Sequence, residues 1–203
     1  MEYNDLPGEK SALRRERGLN PMKDHYGRSI DYLRISLTNR CNLRCRYCMP
    51  EEGVPKRRHA DMLTLEELTE IAAACVACGV KKIRLTGGEP LVRRGIVELC
   101  RALRAIPGLE ELCLTTNGAL LPQLAAPLRQ AGVDRLNISL DTLRPDRFAA
   151  MTRTGTLQNT LDGIRAAEEA GFHHLKFDTV LIGGFNDDEI EALAGLTLEH
   201  PWE

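Results

Sequence analysis

The sequence predicts an α/β fold, a parallel sheet with helices outside it, and three observations carry that prediction. From Asp31 onward a short β-type run, a polar loop and a helix-type run recur along the chain. Leu136, Ile138 and Leu140 alternate with polar residues, the period of a strand. The helix-type runs are long enough to carry the chain back over a sheet between parallel neighbours. Repeats of this kind build either a doubly wound sheet or a barrel.

Residues 1–27 are rich in charge, Gly and Pro without periodicity. They read as a flexible or loosely docked arm ahead of a core domain over 28–203. The first strand covers 32–37. Thr64 followed by Glu67 has the form of a capping box, which satisfies the free N–H groups of a helix start. Leu68, Ile71, Ala72 and Cys75 then form an apolar stripe at helical spacing, and Gly79 ends the helix. Strands follow at 80–85, 111–114, 135–140 and 174–181. Helices follow at 95–105, 119–130, 156–170 and 187–199.

The chain has 203 residues, enough for one sizeable domain; 43% are hydrophobic and 28% charged. A net charge of -2 gives no pull toward nucleic acid or an anionic membrane, and 4% aromatic residues leave little for base stacking. No apolar run approaches the ~20 residues of a membrane span, and the N-terminus has no apolar signal core. A cytoplasmic setting is therefore expected. There disulfides are rare, which makes seven cysteines informative.

The polar segments that need explaining all follow strands. They are the cysteine loop at 38–50, Thr86-Gly87-Gly88-Glu89-Pro90, Thr115-Thr116-Asn117-Gly118 and Ser139-Leu140-Asp141. Ligand sites of parallel α/β folds lie at the carboxyl ends of the strands, so these loops are expected to meet at one pocket. Cys41, Cys45 and Cys48 form a Cys-x3-Cys-x2-Cys motif. One loop so spaced can wrap three thiolates around a [4Fe–4S] cubane and leave one iron open to a small chelator. The competing reading is a structural zinc site with His59 as fourth ligand. Cys75, Cys78, Cys100 and Cys113 read as small core residues. Arg14, Arg15, Arg17 and Lys56, Arg57, Arg58 read as solvated charge runs. The five histidines show no ligand spacing.

With these motifs in order on a βα pattern, the chain resembles the radical S-adenosylmethionine (SAM) superfamily. The resemblance implies a partial (βα)6, TIM-barrel-like core, truncated after its fifth βα unit. In that superfamily SAM chelates the open iron, and the Gly-Gly-Glu-Pro motif serves its methionyl ammonium. Within the superfamily the chain resembles the GTP 3′,8-cyclase family of molybdenum cofactor biosynthesis. That likeness rests on Asp31-Tyr32-Leu33-Arg34-Ile35-Ser36, residues 84–94, Leu114-Thr115-Thr116-Asn117-Gly118 and Asn137-Ile138-Ser139-Leu140-Asp141.

It implies that Tyr47, Gly87, Gly88, Glu89 and Ser139 serve SAM, and that Arg34, Arg84, Thr115 and Lys176 serve GTP. Arg34, Arg84 and Lys176 fall on predicted strands that aim them into a barrel. Their alternative is internal pairing with Glu89, Asp141 or Asp178. The implied chemistry is reductive cleavage of SAM, removal of the 3′ hydrogen of GTP, and closure of a ring onto C8 to give 3′,8-cyclo-7,8-dihydroguanosine triphosphate. The family also carries a second [4Fe–4S] cluster, whose ligands this sequence lacks. An external one-electron reductant, a homodimer and a downstream cyclic pyranopterin monophosphate synthase are the implied partners, with no nucleic acid and no membrane. An open barrel would leave the fifth strand with an unpaired edge, so either a fragment of a longer protein or a domain marginally stable alone is expected. Two further classes stay open: another radical SAM enzyme, such as a peptide-modifying one, and a non-enzymatic metal-binding module.

Overall fold

The computed structural model describes residues 22–55 and 61–203. Five parallel strands are β1 (Tyr32–Ser36), β2 (Lys82–Thr86), β3 (Glu111–Thr116), β4 (Arg135–Ser139) and β5 (Leu175–Asp178), and they lie side by side in chain order. A doubly wound sheet reverses its strand order at a switch point. This one does not, so the sheet is an arc of a barrel. The register sets Arg34 opposite Arg84, Thr115 opposite Asn137, and Asn137 opposite Lys176.

Six α-helices among the described residues complete the units: α1 (Leu65–Ala77), α2 (Ile96–Arg104), α3 (Leu121–Gln130), α4 (Pro145–Thr152), α5 (Leu157–Glu169) and α6 (Ile190–Glu199). The capping box forms as expected, with the Glu67 N–H donating to Thr64 and the Thr64 N–H donating to the Glu67 carboxylate. Strand residues Ile83, Leu85, Leu112, Leu114, Leu136, Ile138 and Leu175 face the helices and are fully buried. Their alternate neighbours make the other face of the sheet polar.

Four expectations need correction. Ile71 is 45% exposed; the stripe that α1 buries is Leu68, Ala72 and Val76, whose i, i+4, i+8 spacing runs straight along one face. Strand five stops at Asp178, because the Thr179 hydroxyl turns to donate to the Leu140 carbonyl and the chain bends away. Helix α4 occupies a segment where no helix is predicted; it begins on Pro145, which suits the first turn. Cys100 and Cys113 are fully buried as expected, with the Cys113 thiol donating to Glu111 at 3.1 Å from the polar face of the sheet. Cys75 and Cys78 are only half-buried.

The outer edge of β5 is engaged at its start. The Glu203 N–H donates to the Leu175 carbonyl and the Phe177 N–H donates to the Glu203 carbonyl, while Trp202 packs against Phe177. At the other end of the described chain, residues 22–30 form a small hairpin whose Met22 N–H donates to the Cys78 carbonyl. No described helix is long and apolar enough to cross a membrane.

Candidate active site at the carboxyl ends of the strands

The cysteine loop leaves β1 with the Leu37 N–H donating to the Thr86 carbonyl. Inside the loop the Cys45 carbonyl accepts from both the Cys48 and Met49 N–H groups, each at 2.9 Å, which turns the chain between the second and third thiols. The Arg44 guanidinium donates to the Cys41 and Leu43 carbonyls at 2.7 and 2.8 Å. Leu43 is the loop's buried anchor.

The loop rests on the turn between α4 and α5, a support that the sequence reading missed. The Arg44 and Arg46 N–H groups donate to the Thr152 and Met151 carbonyls, and Thr154 donates to the Asn42 carbonyl. Arg153 donates to the carbonyls of Arg44 and Met49 at 2.8 and 3.2 Å. Arg153 is also the one described non-glycine residue with positive φ, at 61°. Arg153 and Thr154 show no motif; the only local sign is the Gly155 that follows, whose missing Cβ makes room for Leu43.

The Gly-Gly-Glu-Pro loop packs backbone to backbone on the cysteine loop. Gly88 N–H donates to the Thr38 carbonyl and Glu89 N–H to the Arg40 carbonyl. A Cβ on Gly88 would stand 2.3 Å from the Arg40 oxygen, and one on Gly87, whose φ is +151°, 2.6 Å from the Thr38 oxygen. Glycine is thus demanded by the approach of the two loops. Glu89 is buried, and its carboxylate accepts from the Leu91 N–H, the Thr116 hydroxyl and the Asn117 N–H at 3.0, 2.8 and 2.7 Å. Burial pushes its pKa up against the pull of those bonds. So Glu89 joins the ends of β2 and β3 and has its acceptors engaged within the chain.

Tyr47, between Cys45 and Cys48, keeps its ring half exposed while its hydroxyl donates to Asp141 at 2.7 Å. The other Asp141 oxygen accepts the Val180 N–H at 2.8 Å, and the Asn186 amide donates to the Asp141 and Val180 carbonyls. This ties the ends of β1, β4 and β5 together. Val180 and Leu181 remain exposed there beside Tyr47. Ser139 ends β4 on the polar face, opposite Asp178. All four strand-end loops therefore converge.

Burial pushes the Cys41 thiol up and the Cys45 thiol to about 11, and the neighbouring thiols add to both shifts. Among the described residues no three His, Cys, Asp or Glu side chains gather as around one ion. Thiolate ligands spaced along one loop are the donor type that iron–sulfur clusters take. His59 and the runs around Arg14 and Arg57 lie outside the described residues.

The polar face below the loops sorts its cations. Lys82 pairs with Glu111 and Arg135 with Glu203, both at 2.7 Å, toward the amino ends of the strands. Arg84 donates only to the Thr115 hydroxyl, at 3.3 Å, and Arg34 and Lys176 are exposed with no ion pair among the described residues. Of their candidate partners, Glu89 and Asp141 are engaged by the donors above, and one oxygen of Asp178 accepts from the Asn137 amide at 3.0 Å.

The description of the radical SAM superfamily matches residues 35–197. A GTP 3′,8-cyclase of Peptoclostridium acidaminophilum is 59% identical over 177 residues, covering 87% of this chain and 54% of that protein. One from Geobacter sulfurreducens is 58% identical over 178 residues, covering 88% and 55%. The chain thus spans about half the length of the curated relatives it matches. In fold it is similar to the [FeFe]-hydrogenase maturase HydG, with a TM-score of 0.60 at 17% identity over 89% of this chain and 40% of that one. It is also similar to methylornithine synthase, with a TM-score of 0.57 at 16% identity over 98% and 70%. Cysteine loop, glycine loop, barrel arc and family match agree, and the chain belongs to the radical SAM superfamily.

Proposed function

We propose that this chain forms the SAM-cleaving, GTP-binding portion of a GTP 3′,8-cyclase of molybdenum cofactor biosynthesis. Cys41, Cys45 and Cys48 hold a [4Fe–4S] cluster with one open iron. Bound there and reduced, the cluster supplies the electron that splits the sulfonium of SAM. Tyr47 presents a flat apolar face to the nucleoside of SAM, with its hydroxyl fixed by Asp141. Gly87 and Gly88 bring backbone close to the methionyl end, and Ser139 offers a hydroxyl from β4. Glu89 supports this site by holding the glycine loop against Thr116 and Asn117, which leaves the ammonium to nearby backbone carbonyls.

The observation that carries the GTP reading is the set of cations left without carboxylates on the polar face. A triphosphate bears about four negative charges and asks for several cationic donors. Arg34, Arg84 and Lys176 supply them beneath the cysteine loop, and Thr115, joined to Arg84, adds a hydroxyl. The polar face of the sheet orients GTP through these donors. The core over 28–203, a one-electron reductant from outside, a homodimer and a downstream cyclic pyranopterin monophosphate synthase complete the proposal. The family's second [4Fe–4S] cluster is assigned to the portion of the relatives that this chain does not match.

The test is anaerobic incubation of the reconstituted chain with SAM, reductant and GTP, alongside equilibrium GTP binding. GTP should bind, and Arg34→Ala, Arg84→Ala and Lys176→Ala should each weaken it about 10-fold or more, since a charge-assisted contact is worth ~1.5–3 kcal/mol. Reductive SAM cleavage that ignores GTP, with no GTP binding, would point to a different radical SAM substrate.

A further inference from the structure

Asn117 follows β3 and touches both the Gly-Gly-Glu-Pro loop and the cysteine loop. Its N–H donates to Glu89 at 2.7 Å and its carbonyl accepts from the Thr160 hydroxyl at 3.1 Å. Its side-chain oxygen accepts the Ala119 N–H at 3.0 Å. That contact fixes which way round the amide lies, because only an oxygen can accept there. The amide nitrogen must then face the cysteine loop. It donates to the Asn42 side chain at 2.8 Å and lies 3.8 Å from the Cys41 sulfur. The Leu43 N–H approaches the same sulfur at 3.3 Å. Cys41 therefore receives amide donors from two separate elements.

We propose that Asn117 is a positioning residue that locks the Gly-Gly-Glu-Pro loop to Cys41 and, by donating to the Cys41 thiolate, makes the cluster easier to reduce. The inference rests on the cluster reading of the superfamily and not on GTP as substrate. Reduction adds one electron from an external donor to the cluster and adds negative charge to its sulfurs. An N–H aimed at a sulfur stabilises the more negative form, so hydrogen bonds to the sulfurs raise the potential. Asn117 does this from a position whose geometry Glu89 and Ala119 both fix. The glutamate of one motif is thereby linked to the first cysteine of the other through a single residue.

The experiment is an anaerobic redox titration of the reconstituted chain, followed by electron paramagnetic resonance. Asn117→Asp keeps the acceptor for Ala119 and removes the donor to sulfur; Asn117→Ala removes both without adding charge. Each should lower the reduced-to-oxidised ratio at a fixed poise about tenfold, equivalent to about 59 mV for one electron, with cluster iron retained. Thr160→Val strips a hydrogen bond from the Asn117 carbonyl and should lower stability without moving the potential. Ratios within threefold of wild type in both Asn117 variants overturn the proposal, and so does a shift confined to the charged variant. Where the variants hold no cluster, the wild-type chain with 15N-labelled asparagine side chains decides: the reduced cluster should show hyperfine coupling to a side-chain nitrogen, and its absence overturns the proposal. A wild-type chain that assembles no cubane defeats the cluster reading itself, and this inference with it.

Discussion

Gly88 leaves no room for a methyl group, since a Cβ would meet the Arg40 carbonyl oxygen at 2.3 Å. The neighbour is backbone of the cysteine loop and cannot swing aside. Gly88→Ala should cost ~1–3 kcal/mol as overpacking, measured by urea denaturation, and should lower the iron bound per chain on reconstitution. Glu89→Gln is nearly isosteric, yet its NH2 would face one of three donors that now share a carboxylate. A loss of ~1–3 kcal/mol is expected, read from the same denaturation curves. The close backbone approach at Gly87 and Gly88 was legible in the sequence, because glycine's size restricts what it can do, and the spacing of Cys41, Cys45 and Cys48 stood out by its chemistry. The inward turn of Glu89 was not. Its partners lie 27 and 28 residues away on the next strand, and only the parallel pairing of β2 with β3 brings them together.

The platform under the cysteine loop shows what the elements add. Helix α4 ends at Thr152, and Arg153 takes φ 61° where its guanidinium can hold two carbonyls of the loop. Such a backbone costs ~1–3 kcal/mol and persists where its surroundings demand it. Arg153→Gly should relieve that strain and abandon the two carbonyls. The chain should therefore fold with little change in stability while cluster loading falls several-fold, as read by iron analysis against thermal unfolding. Unchanged loading would remove Arg153 from the platform. The segment escaped prediction because eight residues starting at Pro145 carry too little periodicity, and because the contacts of Arg153 are to backbone, which no sequence pattern announces.

A second clamp joins the loop after β4 to the turn before α6. Glu189 accepts from the Thr142 hydroxyl, the Leu143 N–H and the Arg147 guanidinium. Burial pushes its pKa up, but those bonds outweigh it and hold the carboxyl below its ordinary value of 4.5. A lowered folded-state pKa stabilises the fold above the ordinary value, and that contribution fades as pH falls through the folded one. Asp141, raised chiefly by burial, has the opposite sign. Subtraction isolates the clamp: the gap in urea midpoint between wild type and Glu189→Gln should be largest at neutral pH and close below about pH 4.5. A gap that does not depend on pH would contradict an ionised clamp.

For the molecule as a whole, βα recurrence foretold the parallel sheet and its outer helices, but left barrel and doubly wound sheet undivided. Strand order decides between them, and order is a property of the assembled chain. The 1-2-3-4-5 arc then gives the polar face its meaning. Alternation marked Arg34, Arg84 and Lys176 as inward, yet only the structure shows that Glu89 and Asp141 bond to other donors. A concave face with unpaired cations should be stabilised by a polyanion. GTP at about 100 times its Kd should add ~2.7 kcal/mol, visible as a rise in Tm, and the Arg34→Ala, Arg84→Ala, Lys176→Ala triple variant should lose that rise.

The central claim is that Cys41, Cys45 and Cys48 build a cluster with one iron left open for SAM. Its most direct measurement is the paramagnetic resonance spectrum of the anaerobically reconstituted, reduced chain with and without SAM. The expected result is a brown protein with iron and sulfide in cubane proportion. Its reduced-cluster signal should change on adding SAM and vanish in the Cys41→Ala variant. A colourless protein that takes up stoichiometric zinc, or a cluster signal indifferent to SAM, would contradict it.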